Sequence, residues 1–138
     1  MTGVIATRSP TVEGGFAMRY LFVVKSNHVA EPSAELMEAM HKMAQREIQA
    51  GRMLDDGGLL PLAMGCQVSI GKGELKVIDG PFIEAKEMIG GYAIFDLPGP
   101  DEALASAREF MQLHRDFMPG WEGTCEIRGI AGSMTKGG

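Results

Sequence analysis

Few side chains on this 138-residue chain can move protons near neutral pH, and their neighbours decide what each can do. His41 lies one helical turn after Met37 and two before Ile48, at the edge of an apolar stripe. An imidazole there acts as a general base if a carboxylate fixes its tautomer, and Asp55, Asp56 or Asp79 can supply one; the other reading is a boundary histidine in water. Asp79 ends an apolar strand pattern and precedes Gly80-Pro81, so its carboxylate either joins that chemistry or accepts backbone N–H bonds and shapes the turn. His41 and Asp79 are the candidate catalytic pair. Glu84, Lys86 and Glu87 alternate in charge; such clusters usually form a solvated face, but carboxylates around a lysine can also hold a polar or carbonyl-bearing ligand. His28, in Ser26-Asn27-His28, is a further ligand-binding candidate at a sheet edge, with a plain loop histidine as its alternative. His114 and Trp121 read as packing residues.

Several chemistries are absent. No Gly-x-Gly-x-x-Gly precedes a helix, and there is no phosphate loop, no His-Glu-x-x-His and no Gly-x-Ser-x-Gly, so nucleotide, zinc and serine-hydrolase readings fall away and no cofactor or metal is implied. Cys66 and Cys125 belong to no Cys-x-x-Cys or Cys/His group and are expected as buried reduced thiols. A net charge of −5 with scattered Lys and Arg argues against nucleic acid, and the aromatic pattern of an RNA-binding sheet is missing. No apolar run approaches the roughly 20 residues that cross a bilayer, and the N-terminus does not resemble a secretion signal; a cytoplasmic protein without membrane contact is expected.

These candidates need a scaffold, and 45% apolar with 22% charged residues suits one globular core. Residues 1–16 and 131–138 lack periodicity and read as tails around one domain over 17–130. Met18–Lys25 is dense in aromatic and β-branched residues and predicts a strand. Ser33 as N-cap, the stripe Leu36, Met40, Met43 and Ala44, and Gly51 as terminator predict a helix over 34–50. Asp55-Asp56-Gly57-Gly58 predicts a break, followed by a short strand over 59–63. Val68, Ile70, Leu75 and Val77 alternate around Gly71-Lys72-Gly73 as one face of a hairpin. A strand over 88–97, a helix from Pro100 ending before Pro119, and a closing strand over 124–130 complete the order.

The strand near the N-terminus is apolar on both faces, with Tyr20, Phe22 and Val24 on one and Leu21 and Val23 on the other; Tyr92, Ile94 and Ala93, Phe95, Leu97 repeat the pattern. Two helices cover only one side of such an antiparallel sheet. A second subunit packed face to face gives a homodimer with a barrel-like interior, where a small-molecule ligand can bind; the alternative cover is the N-terminal tail or the 52–65 segment.

Asp79-Gly80-Pro81-Phe82, then Glu84, Lys86, Glu87 and Gly90-Gly91-Tyr92, resembles the DGPF signature of the YCII-related family. The strand from Met18, Gly58-Leu59-Leu60-Pro61 and Asp101-Glu102-Ala103-Leu104 extend the resemblance over roughly 18–130. It implies an α+β, ferredoxin-like antiparallel sheet with two helices on one face, dimerising into an α+β barrel. Some members of that family are linked to extracytoplasmic-function sigma factors, and a few relatives are small catabolic enzymes using a His-Asp pair whose histidine sits on the first helix, a place His41 fits. Many relatives carry Gly-Glu-Gly where this chain has Asp56-Gly57-Gly58, so a glutamate role has no counterpart here. Two functions follow as expectations: general acid/base chemistry on a small organic substrate in a dimer cleft, or a non-catalytic ligand-binding accessory, with a sigma factor as its partner.

Overall fold

The computed structural model describes residues 16–26, 31–79, 88–132 and 135–136. Among the described residues, seven strands and two α-helices run in the order β1 (Phe16–Ser26), α1 (Ala34–Gln49), β2 (Met53–Gly58), β3 (Cys66–Gly71), β4 (Glu74–Asp79), β5 (Met88–Leu97), α2 (Pro100–Phe117), β6 (Gly123–Gly129) and β7 (Thr135–Lys136). The main sheet is antiparallel in the order β2-β5-β1-β6, with β7 paired to the start of β1; β3 and β4 form a separate hairpin. The architecture is α+β, compatible with a ferredoxin-like fold.

Alternation along β1 and β5 sets the core. Tyr20 pairs with Phe95 and Phe22 with Ala93, so one sheet face presents Tyr20, Phe22, Phe95 and Leu97, and Ala103 and Ala107 of α2 pack onto it. Small residues on α2 let helix and sheet approach closely, and Ala103 is fully buried. The Phe22 and Phe95 rings stack with centroids 4.7 Å apart. Both helices cover this face as an antiparallel pair. Arg46 reaches Glu109 with two hydrogen bonds of 2.8 and 2.7 Å, and Ser33 donates from Oγ to the Phe117 carbonyl at 2.9 Å. Ser33 also accepts from Leu36 N, and Gly51, at φ +79°, ends the helix as its position requires.

Several expectations are corrected. The predicted break Asp55-Asp56-Gly57-Gly58 is the outer part of β2, and the strand predicted over 59–63 is replaced by a 3-10 turn at Leu62–Met64. An edge strand pairs on one side only, so acidic residues that would break a central strand can face water there, and an irregular register between Met53 and Asp55 absorbs Leu54. The inner stripe of α1 is Leu36, Met43 and Glu47, with Met40 and Ala44 only half-buried; Glu47 goes inside because two arginines come with it. Part of the 131–138 segment is paired, Thr135 opposite Ala17 and Lys136 opposite Phe16. Cys66 is exposed on the hairpin rather than buried; Cys125 is half-buried beside the core, which pushes its thiol up to about 11.

Candidate functional site

The side of the main sheet away from the helices combines an apolar floor with charged ends. By register, Leu21 and Val23 of β1 lie beside Ile94 and Tyr92 of β5 on this face, with Asp96 farther along β5 and Glu126 on β6. Val23 is buried and Leu21, Tyr92 and Ile94 are half-buried, so the floor is part-covered by its own neighbours. This corrects the expectation of a wholly apolar second face: it is apolar along the centre and charged at its margins.

At one end the Tyr92 hydroxyl donates to Asp55 Oδ2 at 3.2 Å. Gly57 sits under the ring, where a Cβ would lie 2.9 Å from Tyr92 Cε1, so the absence of a side chain on β2 lets the ring lie across the strand. The Asp55 charge, and then the hydrogen bond to it, raises the Tyr92 pKa above its ordinary value, so the phenol stays protonated through the physiological range. Near the same end, Lys25 Nζ meets Glu126 Oε2 at 2.8 Å, and this bond holds the Glu126 carboxyl below its ordinary value. At the other end, Asp96 has a buried Oδ1 with no hydrogen-bond partner among the described residues. Such an acceptor costs about 1–3 kcal/mol when left unmet, and because this oxygen is buried a new donor reaches it only if its covering neighbours move. Four residues of strand place Tyr92 and Asp96 roughly 13 Å apart, so no single atom can be served by both.

The sequence candidates fall elsewhere. His41 is exposed on α1, about 140° around the helix from Leu36, and so points away from the sheet; among the described residues no carboxylate pairs with it. The backbone of Asp79 closes β4 opposite Cys66, and the placement of its side chain, like His28, Glu84, Lys86 and Glu87, lies outside the described residues. His114 is buried between Phe110 and Trp121, with ring centroids 4.7 and 4.5 Å away, and its Nδ1–H donates to the Phe110 carbonyl at 3.1 Å. Burial lowers its pKa, and its surroundings are those of a packing residue.

Among the described residues no group of three or more His, Cys, Asp or Glu side chains is arranged to hold a metal ion, and no helix is long and apolar enough to cross a membrane. A shallow groove of about 560 Å³ between the helices is lined by Glu35, Lys42, Arg46, Glu109 and Phe117, most of them paired or in water. Asp96 and the pairing of Tyr92 with Asp55 lie outside the residues that spacing in the sequence singles out. A signal for Asp96 exists, since a carboxylate interrupts the Tyr92-x-Ile94-x-Asp96 alternation; the pairing across to β2 has none, because it depends on a strand that reads as a turn.

A family described as the YCII-related domain matches residues 18–112, more than half of the chain. An uncharacterized protein of Rhizobium meliloti (strain 1021) is 28% identical over 101 residues, covering 73% of this chain and 77% of that protein.

Proposed function

The chain belongs to the YCII-related domain family, and on that premise we propose that it binds a small organic molecule across the open sheet face and performs proton transfer on it at the Tyr92–Asp55 end. The observation that carries this reading is the pairing of a protonated phenol with a carboxylate beside an apolar floor. When substrate binds, the Tyr92 hydroxyl turns its one hydrogen bond from Asp55 to the oxygen charge developing on a carbonyl-bearing substrate, and the freed Asp55 carboxylate accepts the proton that leaves the substrate carbon beside that carbonyl. The half-buried carboxylate of Asp96 holds a hydroxyl or amine at the far end, and Leu21, Val23 and Ile94 pack against the middle. Two copies packed open face to open face, as in an α+β barrel dimer, exclude water from this cleft and bury the floor.

The His41–Asp79 pair is a separate proposal, supported by the place of His41 on the first helix, where enzymatic relatives are thought to carry their histidine. The two are told apart by turnover of small carbonyl compounds and carboxylic acids by the purified protein. Loss in Tyr92→Phe and Asp55→Asn with retention in His41→Ala supports the sheet-face reading. The reverse pattern overturns it. A second function is favoured by the outward placement of His41: a non-catalytic ligand-binding accessory to an extracytoplasmic-function sigma factor. Tight ligand binding that depends on Asp96, with no turnover and with capture of such a factor, identifies that role.

A further inference from the structure

One row of the open sheet face runs from a carboxylate to a guanidinium. Asp55 of β2 stands opposite Ile94 of β5, Ile94 opposite Leu21 of β1, and Leu21 opposite Arg128 of β6. The row therefore begins at the base of the proposed proton transfer, crosses two apolar side chains and ends on a cation. Arg19 lies two residues back along β1 on the same face, opposite Asp96. It is the diagonal neighbour of Arg128, roughly 7–8 Å away at Cα and within reach of so long a side chain. Both arginines are exposed, and the Ile130 N–H donates to the Arg19 carbonyl at 2.9 Å, which ties the chain just after β6 to β1 at this corner. Glu126, two residues before Arg128 and on the same face, is bonded to Lys25 Nζ at 2.8 Å. Among the described residues Arg128 makes no ion pair. Two guanidinium groups beside the one carboxylate of Asp96 leave the corner positive in a chain whose net charge is −5.

We infer that this corner binds a carboxylate, so that the ligand of the open face is an oxo acid: its carboxylate lies on Arg128 with Arg19 beside it, and its carbonyl at the Tyr92–Asp55 end. The inference rests on the reading of the open face as a ligand cleft, and it adds the chemical class of what enters. Three features select that class. A guanidinium presents parallel N–H donors that match the two oxygens of a carboxylate, and the pair of them fixes the orientation of the group as well as its charge. The other end of the row repels an anion, because Asp55 is itself a carboxylate and holds the Tyr92 hydroxyl at 3.2 Å; a ligand with one anionic end is thus bound one way round. The span also fits. Three inter-strand spacings separate the Cα atoms of Asp55 and Arg128 by roughly 14 Å, a distance that a small molecule and the long arginine side chain bridge together. Leu21 and Ile94, both half-buried, then lie under the methylenes between the two polar ends.

Binding is measured by NMR titration of the isotope-labelled protein with levulinate, a small oxo acid, and with its methyl ester, which removes the charge and keeps the carbonyl. The natural chain should bind the acid roughly tenfold more tightly than the ester, with amide shifts in β1, β5 and β6. Arg128→Gln should bring the acid down to the affinity of the ester and leave the ester unchanged, while Arg128→Lys keeps part of the preference. Arg108→Gln, which removes the same charge from an exposed position on α2, should change neither. The outcome separates this site from the proposed reaction. A preference for the acid that depends on Arg128, in a protein that turns nothing over, sinks the reaction and keeps the carboxylate site. Equal affinity for acid and ester, with shifts still on the sheet face, overturns the inference and leaves the cleft standing. No binding of either compound, or a loss in Arg108→Gln as large as in Arg128→Gln, also overturns it.

Discussion

Glu47→Gln tests the most deeply placed ion cluster of the fold. Glu47 is 3% exposed, and its carboxylate accepts hydrogen bonds from Arg52 Nε and Nη2 at 2.7 and 2.8 Å and from Arg46 Nε at 2.9 Å. Arg52 first, and Arg46 after it, hold the carboxyl at about 2 against an ordinary 4.5, with burial opposing. At about 1.4 kcal/mol per pKa unit that is roughly 3 kcal/mol. The arginine side chains are about half exposed, so water competes for them, and a value of ~2 kcal/mol is the working expectation. Because the folded pKa is depressed, the contribution is complete above about pH 4.5 and fades as pH falls toward 2. Urea unfolding followed by circular dichroism at pH 7, 5, 4, 3 and 2 should show the natural chain and Glu47→Gln separated by about 2 kcal/mol at neutral pH and converging at the acid end. Arg52→Met should cost more than Arg46→Met. A separation that is constant from pH 7 to pH 2 refutes the reasoning, since it would mean that Glu47 acts by packing and not by its charge.

In the native protein one thiol should react quickly with a disulfide reagent near pH 8, that of exposed Cys66; Cys125, half-buried and raised to about 11, should react only on unfolding, as labelling of Cys66→Ser confirms. Gly123→Ala drives a methyl into the Trp121 ring and to 2.6 Å from the Lys25 carbonyl, so it should destabilise by about 1–3 kcal/mol and shift the emission of the single tryptophan. Burial depresses His114, so protons bind it more readily in the unfolded chain; stability should fall as pH drops below 6.5, with a shallower slope in His114→Phe. Asp55→Asn should lower the Tyr92 pKa toward 10 in ultraviolet titration of a Tyr20→Phe background, and an unchanged titration would remove the proton-transfer pair.

Where local residue types decide the backbone, the sequence is legible. Ser33 and Gly51 bracket α1, Pro100 opens α2, Gly71-Lys72-Gly73 turns the hairpin, and the alternation in 88–97 becomes β5 with those bounds. Where a partner strand decides, it is not. Asp55-Asp56-Gly57-Gly58 carries every sign of a turn, and it is a strand because β5 offers an unpaired edge and Gly57 gives room for Tyr92. Glu47 is treated as polar by periodicity, and it is buried because Arg46 and Arg52 arrive from either side.

The sequence by itself determined β1, both helices, the β3–β4 hairpin, β5, β6 and the family, since each is written in neighbouring residues or in a contiguous signature. The tertiary structure decided which carboxylates meet which partners: Asp55 finds Tyr92 37 residues away in the chain, and Glu126 finds Lys25 101 residues away. It also turned His41 outward and left Val68, Ile70, Leu75 and Val77 of the hairpin exposed. Spacing along one strand or helix fixes a face, but what that face meets depends on how the elements pack against one another, and the chain sets that only when the whole of it has folded.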